Sequence, residues 1–305
     1  MKKKQNKSFH INKFSDKTYG IITALDFKKG DVKLIYGIAV AFIVIVSLIC
    51  IVPIIWLFVS CLKGMDEFLA IPPTFFPKEL HPEKIAEVWK ELNFGKYFLN
   101  TAVMIVGSLI GTIFLNGIAG YALSRLKPLG SSVLFALIMW TMMMPQTLNL
   151  VPLFKNFLNY TVFHFNLTNT HWPMWIISVA NCMNILMFKN FFDTIPLSYV
   201  ESAKLDGASD LGVFTKIIVP LSRPIIAVIA LRVAVANWDM FLWPYLMLKD
   251  PDKYTVSVML YYMKTTFGID KQIMAAFFAI IPPAVIFVLF QKQIVHNDNN
   301  AGVKG

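Results

Sequence analysis

ESAKLDGASDLGVFTKIIVPLSRP, residues 201–224, is a polar stretch punctuated by Gly and Pro and set between two long apolar runs. Its reading decides the fold. Pro196, just ahead of it, stops the preceding helix because proline has no amide hydrogen to give. Ser198 and Glu201 have the S-x-x-E spacing of a capping box, which predicts a new helix over about 199–205. Gly207 supplies the permissive backbone that ends it. Ser209 is placed to cap a second helix with Asp210 at its positive end, and Pro220 marks where that helix must bend or stop. Val213, Phe214, Ile217 and Ile218 form an apolar stripe at helical spacing. A helix of about seven residues is only about 10 Å long and unstable alone in water, so it needs a partner surface.

The flanking runs identify the solvent. The chain has 305 residues, 56% hydrophobic and 15% charged, whereas soluble domains are about 45–50% apolar and about 25% charged. Charge falls in short interruptions between runs of about 18 or more apolar residues, long enough to cross a hydrocarbon core of about 30 Å. Six spans are expected, over 34–62, 97–123, 131–154, 172–192, 224–248 and 273–290. The first, third and sixth carry interior prolines (Pro53; Pro145 and Pro152; Pro282 and Pro283), which bend a helix but are tolerated where neighbours resatisfy the backbone. Continuous runs such as YGIAVAFIVIVSLICIVPIIWLFV exclude the alternating segments of a β-barrel. The fold class is an all-α polytopic membrane protein.

Residues 1–33 are a basic segment with nine Lys against three Asp. No short apolar stretch with a small-residue cleavage site precedes the first span, so no cleavable signal peptide is expected. Under the positive-inside rule the basic segment stays in the cytoplasm, and six spans return the tail, 293–305, to the same side. The loops 124–130 and 193–223 then lie inside, and 63–96, 155–171 and 249–272 outside. Trp172 and Trp175 open the fourth span and Trp243 and Tyr245 close the fifth, at the outer interface where aromatic rings gather. The net charge of +10 is read as orienting charge in contact with anionic membrane lipid, not as a nucleic-acid surface. Cys50, Cys61 and Cys182 show no C-x-x-C spacing, so neither a metal site nor a cofactor is expected.

Glu201, Ala203, Asp206, Gly207, Ala208, Phe214, Ile217, Pro220 and Pro224 resemble the signature of the cytoplasmic "EAA" loop of bacterial binding-protein-dependent ABC importer permeases. Ser202 stands where that signature has a second alanine. The resemblance covers nearly the whole chain from the first span and is to the carbohydrate branch, the maltose-type second permease subunit. FGKYFLNTAVMIV (94–106) resembles the start of that branch's second span, and GYALSRLKPLG (120–130) its A-Y-A-L-S-R turn. MMMPQTLNLVPLF (142–154) resembles the M-P…P-L pattern of the third span. NWDMFLWPYLML (237–248) resembles the W-N-x-F-L-W-P motif, with Asn and Trp in the opposite order, and AGVKG (301–305) resembles the family's ending.

The resemblance implies an ABC importer type I permease fold in a bacterial cytoplasmic membrane. It also implies a second homologous permease subunit, an ABC ATPase dimer, an extracellular solute-binding protein and a carbohydrate substrate moved by alternating access. Glu201, Ser202, Ala203, Asp206, Gly207, Ala208, Phe214, Ile217 and Pro220 then form the ATPase-coupling element. No G-x-x-x-x-G-K-[ST] phosphate loop occurs in the chain, so ATP hydrolysis is expected of partner subunits and the chain is not expected to be an enzyme. The competing class is an ion-coupled secondary transporter, for which Asp239 is the one acidic residue within an expected span.

Polar side chains within a membrane are costly and are functional candidates by default. Arg232 and Asp239 lie seven residues apart in the fifth span, about 10 Å along the axis, with Asn237 and Trp238 beside Asp239. Asn181 and Asn184 form a second group, and Gln146 and Asn149, beside Pro145, a third. These seven, Arg232 aside, are the candidate translocation path, since rings stack on sugar C–H faces and amides bond hydroxyls. Contact between helices is the other role open to each. Gly107 and Gly111 form a small-x-x-x-small pair suited to close helix packing. Residues 82–92 read as an amphipathic helix with Ile85, Val88, Trp89 and Leu92 on one stripe, which suits packing on the bundle or contact with the binding protein.

Overall fold

The computed structural model describes residues 30–68, 70–72, 74–159 and 166–301. Most of the basic segment 1–33 and residues 302–305 of the AGVKG ending lie outside that set. Among the described residues the regular structure is helical, with no strand. Apolar runs leave little choice, because in hydrocarbon each backbone N–H and C=O must be paired within its own segment. The chain divides into two compact units, Met1–Trp56 and Leu57–Gly305. The described part of the first belongs to one helix, α1 (Gly30–Cys61), which runs through Pro53.

In the second unit, α2 (Glu83–Glu91) carries the expected amphipathic stripe, with Val88 and Leu92 buried and Ile85 and Trp89 half-buried. The Trp89 ring lies 5.4 Å from Phe94, 5.3 Å from Phe98 and 5.0 Å from Phe278, so the stripe packs on the chain's own helices. Asn93, in the left-handed region at φ 49°, turns the chain into α3 (Phe94–Leu126). This helix is longer than the expected span and includes two turns of wider winding, Thr112–Asn116 and Ala122–Leu126.

Three of the expected spans are broken. α4 (Ser131–Met143) and α5 (Leu150–Leu158) meet at 90° around Pro145, whose extended backbone leads into a 3-10 turn at Gln146–Asn149. α6 (Trp172–Val179) and α7 (Cys182–Thr194) are bent by 44°, and the Asn181 side chain caps the second of them. α8 (Leu197–Leu205) and α9 (Asp210–Leu221) follow, and α9 meets α10 (Arg223–Trp238) at 79°. The expected fifth span, 224–248, is therefore two helices: α10 stops before Asp239 and α11 (Leu242–Met247) begins afresh. Pro244 explains the break, since it cannot donate to the Met240 carbonyl four residues back. That carbonyl accepts instead from the Ser257 hydroxyl at 2.8 Å, on α12 (Val256–Thr266). α13 (Ile269–Ala301) runs through Pro282 and Pro283. Among the described residues three helices are long and apolar enough to cross a membrane, or up to six segments if each bent pair is one span.

Small residues set the closest approaches. A Cβ on Gly107 would meet the Trp175 ring, one on Gly111 the Val179 side chain and one on Gly120 the Phe188 Cβ at 2.7 Å. The helical packing role read for Gly107 and Gly111 is thus what they perform. Among the described residues of the unit, apolar clusters centre on Phe188, Phe214 and Ile229, on Phe94, Met274 and Phe278, and on Met104, Met174 and Met247.

Candidate functional site: the 193–223 loop and the polar residues near it

α8 begins two residues earlier than the sequence suggests, at Leu197 rather than Tyr199. Pro196, at φ −57° and ψ 134°, flanks Leu197, and no side chain caps the helix. The Ser198–Glu201 capping box is therefore not formed, because Pro196 already turns the chain and Ser198 falls inside the first turn. The end of α8 is as expected: Gly207 sits at φ 81°. Its N–H reaches the Lys204 carbonyl at 3.0 Å and that of Ala208 the Ala203 carbonyl at 3.0 Å, the paired bonds of a Schellman turn. Ser209 Oγ accepts from the Gly212 N–H at 3.2 Å, capping α9. Lys204 and Asp210 pair at 2.9 Å across the turn, which holds the Lys204 ammonium above its ordinary pKa.

The two helices have opposite faces. Val200 and Ala203 of α8 and Val213, Phe214 and Ile218 of α9 are buried. Phe214 lies 5.3 Å from Tyr121 of α3, ring to ring, so this side chain ties the loop to the bundle. Ala208 and Ile217 are half-buried, while Glu201, Ser202, Asp206, Gly207 and Pro220 are exposed. Beside these lies an apolar surface the sequence reading passed over: Leu205 is 90% exposed and Leu211 63%, with Leu197 and Tyr199 also open.

The root of the loop is clamped. The Arg125 guanidinium donates to the carbonyls of Phe192 and Ile195. Ser124 Oγ donates to Asp193 Oδ1 at 2.6 Å, and Lys189 Nζ donates to Asp193 Oδ2 at 2.8 Å. Both carbonyls lie at the C-terminal end of α7, where positive charge is favoured, and that of Phe192 also accepts from the Ile195 N–H at 3.1 Å. The sequence held a local signal for this, a Ser-Arg pair closing a long apolar run just before Pro128.

The polar candidates separate into different settings. Asn237 is 2% exposed; its Oδ1 accepts from Ser108 at 3.0 Å and Ser178 at 2.9 Å, joining α10 to α3 and α6. Trp238 donates to the Ala279 carbonyl at 3.2 Å. Asp239 is exposed at the break and, with Trp238, Ser257 and Leu260, lines a cleft of about 620 Å³. Asn181 caps α7, whereas Asn184 is buried with Oδ1 unpartnered. Asn149 is exposed and, like Gln146, belongs to the turn at the 90° bend. Arg232 is exposed, with Nη1 3.8 Å from Met187 Sδ. Among these described residues no hydrogen bond joins Asn149, Asn181 or Asn184 to Asn237 or Asp239.

Residues 116–296, more than half of the chain, match the family described as binding-protein-dependent transport system inner membrane component. The chain belongs to that family. As a transport-system membrane component it has relatives along most of its length. It is 30% identical over 264 residues to the diacetylchitobiose uptake system permease protein NgcG of Streptomyces coelicolor, covering 85% of each chain. It is 26% identical over 277 residues to the arabinooligosaccharides transport system permease protein AraQ of Bacillus subtilis, covering 89% of this chain and 97% of that one. The fold matches a chain in the crystal structure of a bacterial ABC transporter involved in import of the acidic polysaccharide alginate. There the TM-score is 0.77 at 21% identity, covering 87% of this chain and 98% of the other. The membrane component is thus an all-helical, multi-pass permease by family and fold.

Proposed function

We propose that this chain is a permease subunit of an ATP-driven importer that moves a sugar or oligosaccharide into a bacterial cell by alternating access. In this reading six spans cross the cell's plasma membrane, with both ends and the 193–223 loop on the cytoplasmic side. A second homologous permease completes the pathway, an ATPase dimer docks below and an extracellular solute-binding protein delivers the sugar. The observation that carries the reading is the two-faced loop. Its inner face is buried against α3 and α7, while Leu197, Tyr199, Leu205 and Leu211 are left open around Glu201 and Gly207. Apolar side chains presented on a short braced helix suit a protein cleft, where a few buried anchors carry most of the binding energy. The sugar assignment rests on relatives named for uptake of diacetylchitobiose, arabinooligosaccharides and melibiose, raffinose and stachyose.

The test is affinity purification of the tagged chain from native membranes, followed by uptake of labelled oligosaccharides in proteoliposomes. An ATPase, a second permease and a solute-binding protein should co-purify, and uptake should need ATP inside. Solute movement by the purified chain alone, or labelling of Leu205→Cys by an impermeant maleimide from outside intact cells, defeats the reading.

A further inference from the structure

Phe241, Tyr245, Tyr254, Tyr261 and Tyr262 form a continuous aromatic cluster just beyond the break at Asp239. Phe241 stacks on Tyr245 at 5.3 Å, and Tyr261 lies 5.3 Å from Phe241 and 5.2 Å from Tyr245. Tyr254 stacks on Tyr262 at 5.0 Å with their planes 9° apart. Rings gathered this closely usually bury one another, yet Tyr261 is 45% exposed and Tyr262 41%.

The cluster's place gives it a use. Ser257 and Leu260 of α12 line the cleft that also holds Trp238 and Asp239, and Tyr261 stands one turn beyond Ser257 on the same helix face. Phe241 follows Asp239 by two residues, and the Ser257 hydroxyl is fastened to the Met240 carbonyl between them. An exposed carboxylate therefore opens on a cleft, and Tyr261 follows one helical turn after Ser257 of its wall. A sugar ring offers what this arrangement accepts: a C–H face that rests on the electron-rich face of an aromatic ring, and an edge of hydroxyls that donate to a carboxylate. Lipid contact requires aromatic rings at the interface but no carboxylate among them.

We propose that Tyr245, Tyr261 and Tyr262 are a stacking platform for a sugar ring at the mouth of the cleft, with Asp239 accepting hydrogen bonds from its hydroxyls. The platform rests on the carbohydrate reading given above and assigns to this subunit a substrate contact of its own.

The assembled importer in proteoliposomes is the system to test, with diacetylchitobiose, arabinotriose and raffinose as probes. For a probe that the wild type takes up, Tyr261→Ala raises KM about fivefold, the loss of one stacked ring. Tyr261→Phe, which keeps the ring, recovers most of that loss, and Asp239→Asn raises KM by a similar factor. A second readout needs no variant: that probe, in excess, slows nitration of Tyr261 and Tyr262 by tetranitromethane in the wild-type complex. Unchanged KM in Tyr261→Ala with unprotected tyrosines overturns the platform while leaving the importer reading intact. A wild-type complex that moves none of the three sugars overturns the carbohydrate reading, and the platform with it.

Discussion

Arg125 donates to the carbonyl of Ile195, the residue immediately before Pro196, where α8 begins. The same guanidinium nitrogen reaches Phe192, so one side chain at the end of α3 closes the end of α7 and fixes the point from which the loop departs. Any push on α8 is then delivered to α3 and α7 together. Arg125→Ala takes this donor from the Ile195 carbonyl, at a cost of about 1–3 kcal/mol, while the Phe192 carbonyl keeps the Ile195 N–H. Arg125→Lys keeps the charge but loses the planar fork. Both variants should reach the membrane, the alanine variant should melt earlier, and both should hydrolyse more ATP per sugar accumulated. The ratio of phosphate released to sugar taken up in proteoliposomes measures this. A wild-type ratio in both variants reduces Arg125 to a packing residue.

Gly207 is the hinge of the loop, and its φ of 81° is closed to proline, whose ring fixes φ near −65°. Gly207→Pro also removes the N–H that bonds the Lys204 carbonyl. The variant should insert normally but lose coupling, with ATP hydrolysis continuing while uptake falls to background. Glu201→Lys, on the exposed face of α8, should act in the same direction through the docking surface alone. Normal uptake by both variants counts against the coupling role.

How far these features could be read in the sequence depends on range. The helical class follows from run length, and the turn at Gly207 and Ser209 from signals within three residues of each other. The start of α8 was misplaced because two local signals competed, and the proline overrode the Ser198–Glu201 spacing. The break at Asp239 was missed although Pro244 marks it, since the surrounding residues are apolar and proline alone does not say whether a helix bends or stops. The hydroxyl that takes the Met240 carbonyl freed by Pro244 is that of Ser257, 17 residues further on. Asn237 is a more severe case: its partners, Ser108 and Ser178, lie 129 and 59 residues away, so nothing nearby separates a helix contact from a solute contact.

Asn237→Leu accordingly tests which of those it is. The substitution strands the Ser108 and Ser178 hydroxyls, of which Ser108 is fully buried, at about 1–3 kcal/mol. The melting temperature of the solubilised complex should fall, while KM for sugar in the surviving complex should not move. A change in KM at unaltered stability returns Asn237 to the substrate path.

His171 gives the fold a pH dependence. Burial, and then the positive charge of Lys253, hold its pKa below the ordinary 6.5. As pH falls, the unfolded chain takes up this proton at about 6.5 and the folded chain only at a lower pH. The group's contribution is therefore complete above 6.5 and is lost as pH falls from there through the lowered folded value. His171→Gln should flatten the decline in melting temperature between about pH 7 and about pH 5 relative to wild type. Parallel curves for the two proteins disprove the assignment.

Two glycines of α3 should respond with opposite signs. A Cβ at Gly107 would lie 2.2 Å from Trp175 Cε2 and 2.3 Å from its Nε1. The ring cannot yield freely, because Nε1 donates to the Met104 carbonyl at 3.1 Å. Gly107→Ala should therefore destabilise by about 1–3 kcal/mol as an overpacked contact. At Gly117 the nearest atom is Phe214 Cζ at 3.5 Å, ordinary contact distance, and the backbone is helical at φ −62°. There alanine removes the conformational freedom of glycine and should stabilise by about 0.5–1 kcal/mol. Thermal melting of the two variants in detergent separates the causes. Helix propensity alone raises both melting temperatures, so only a fall at Gly107 with none at Gly117 shows that the Trp175 ring, held by its hydrogen bond, sets the distance between α3 and α6.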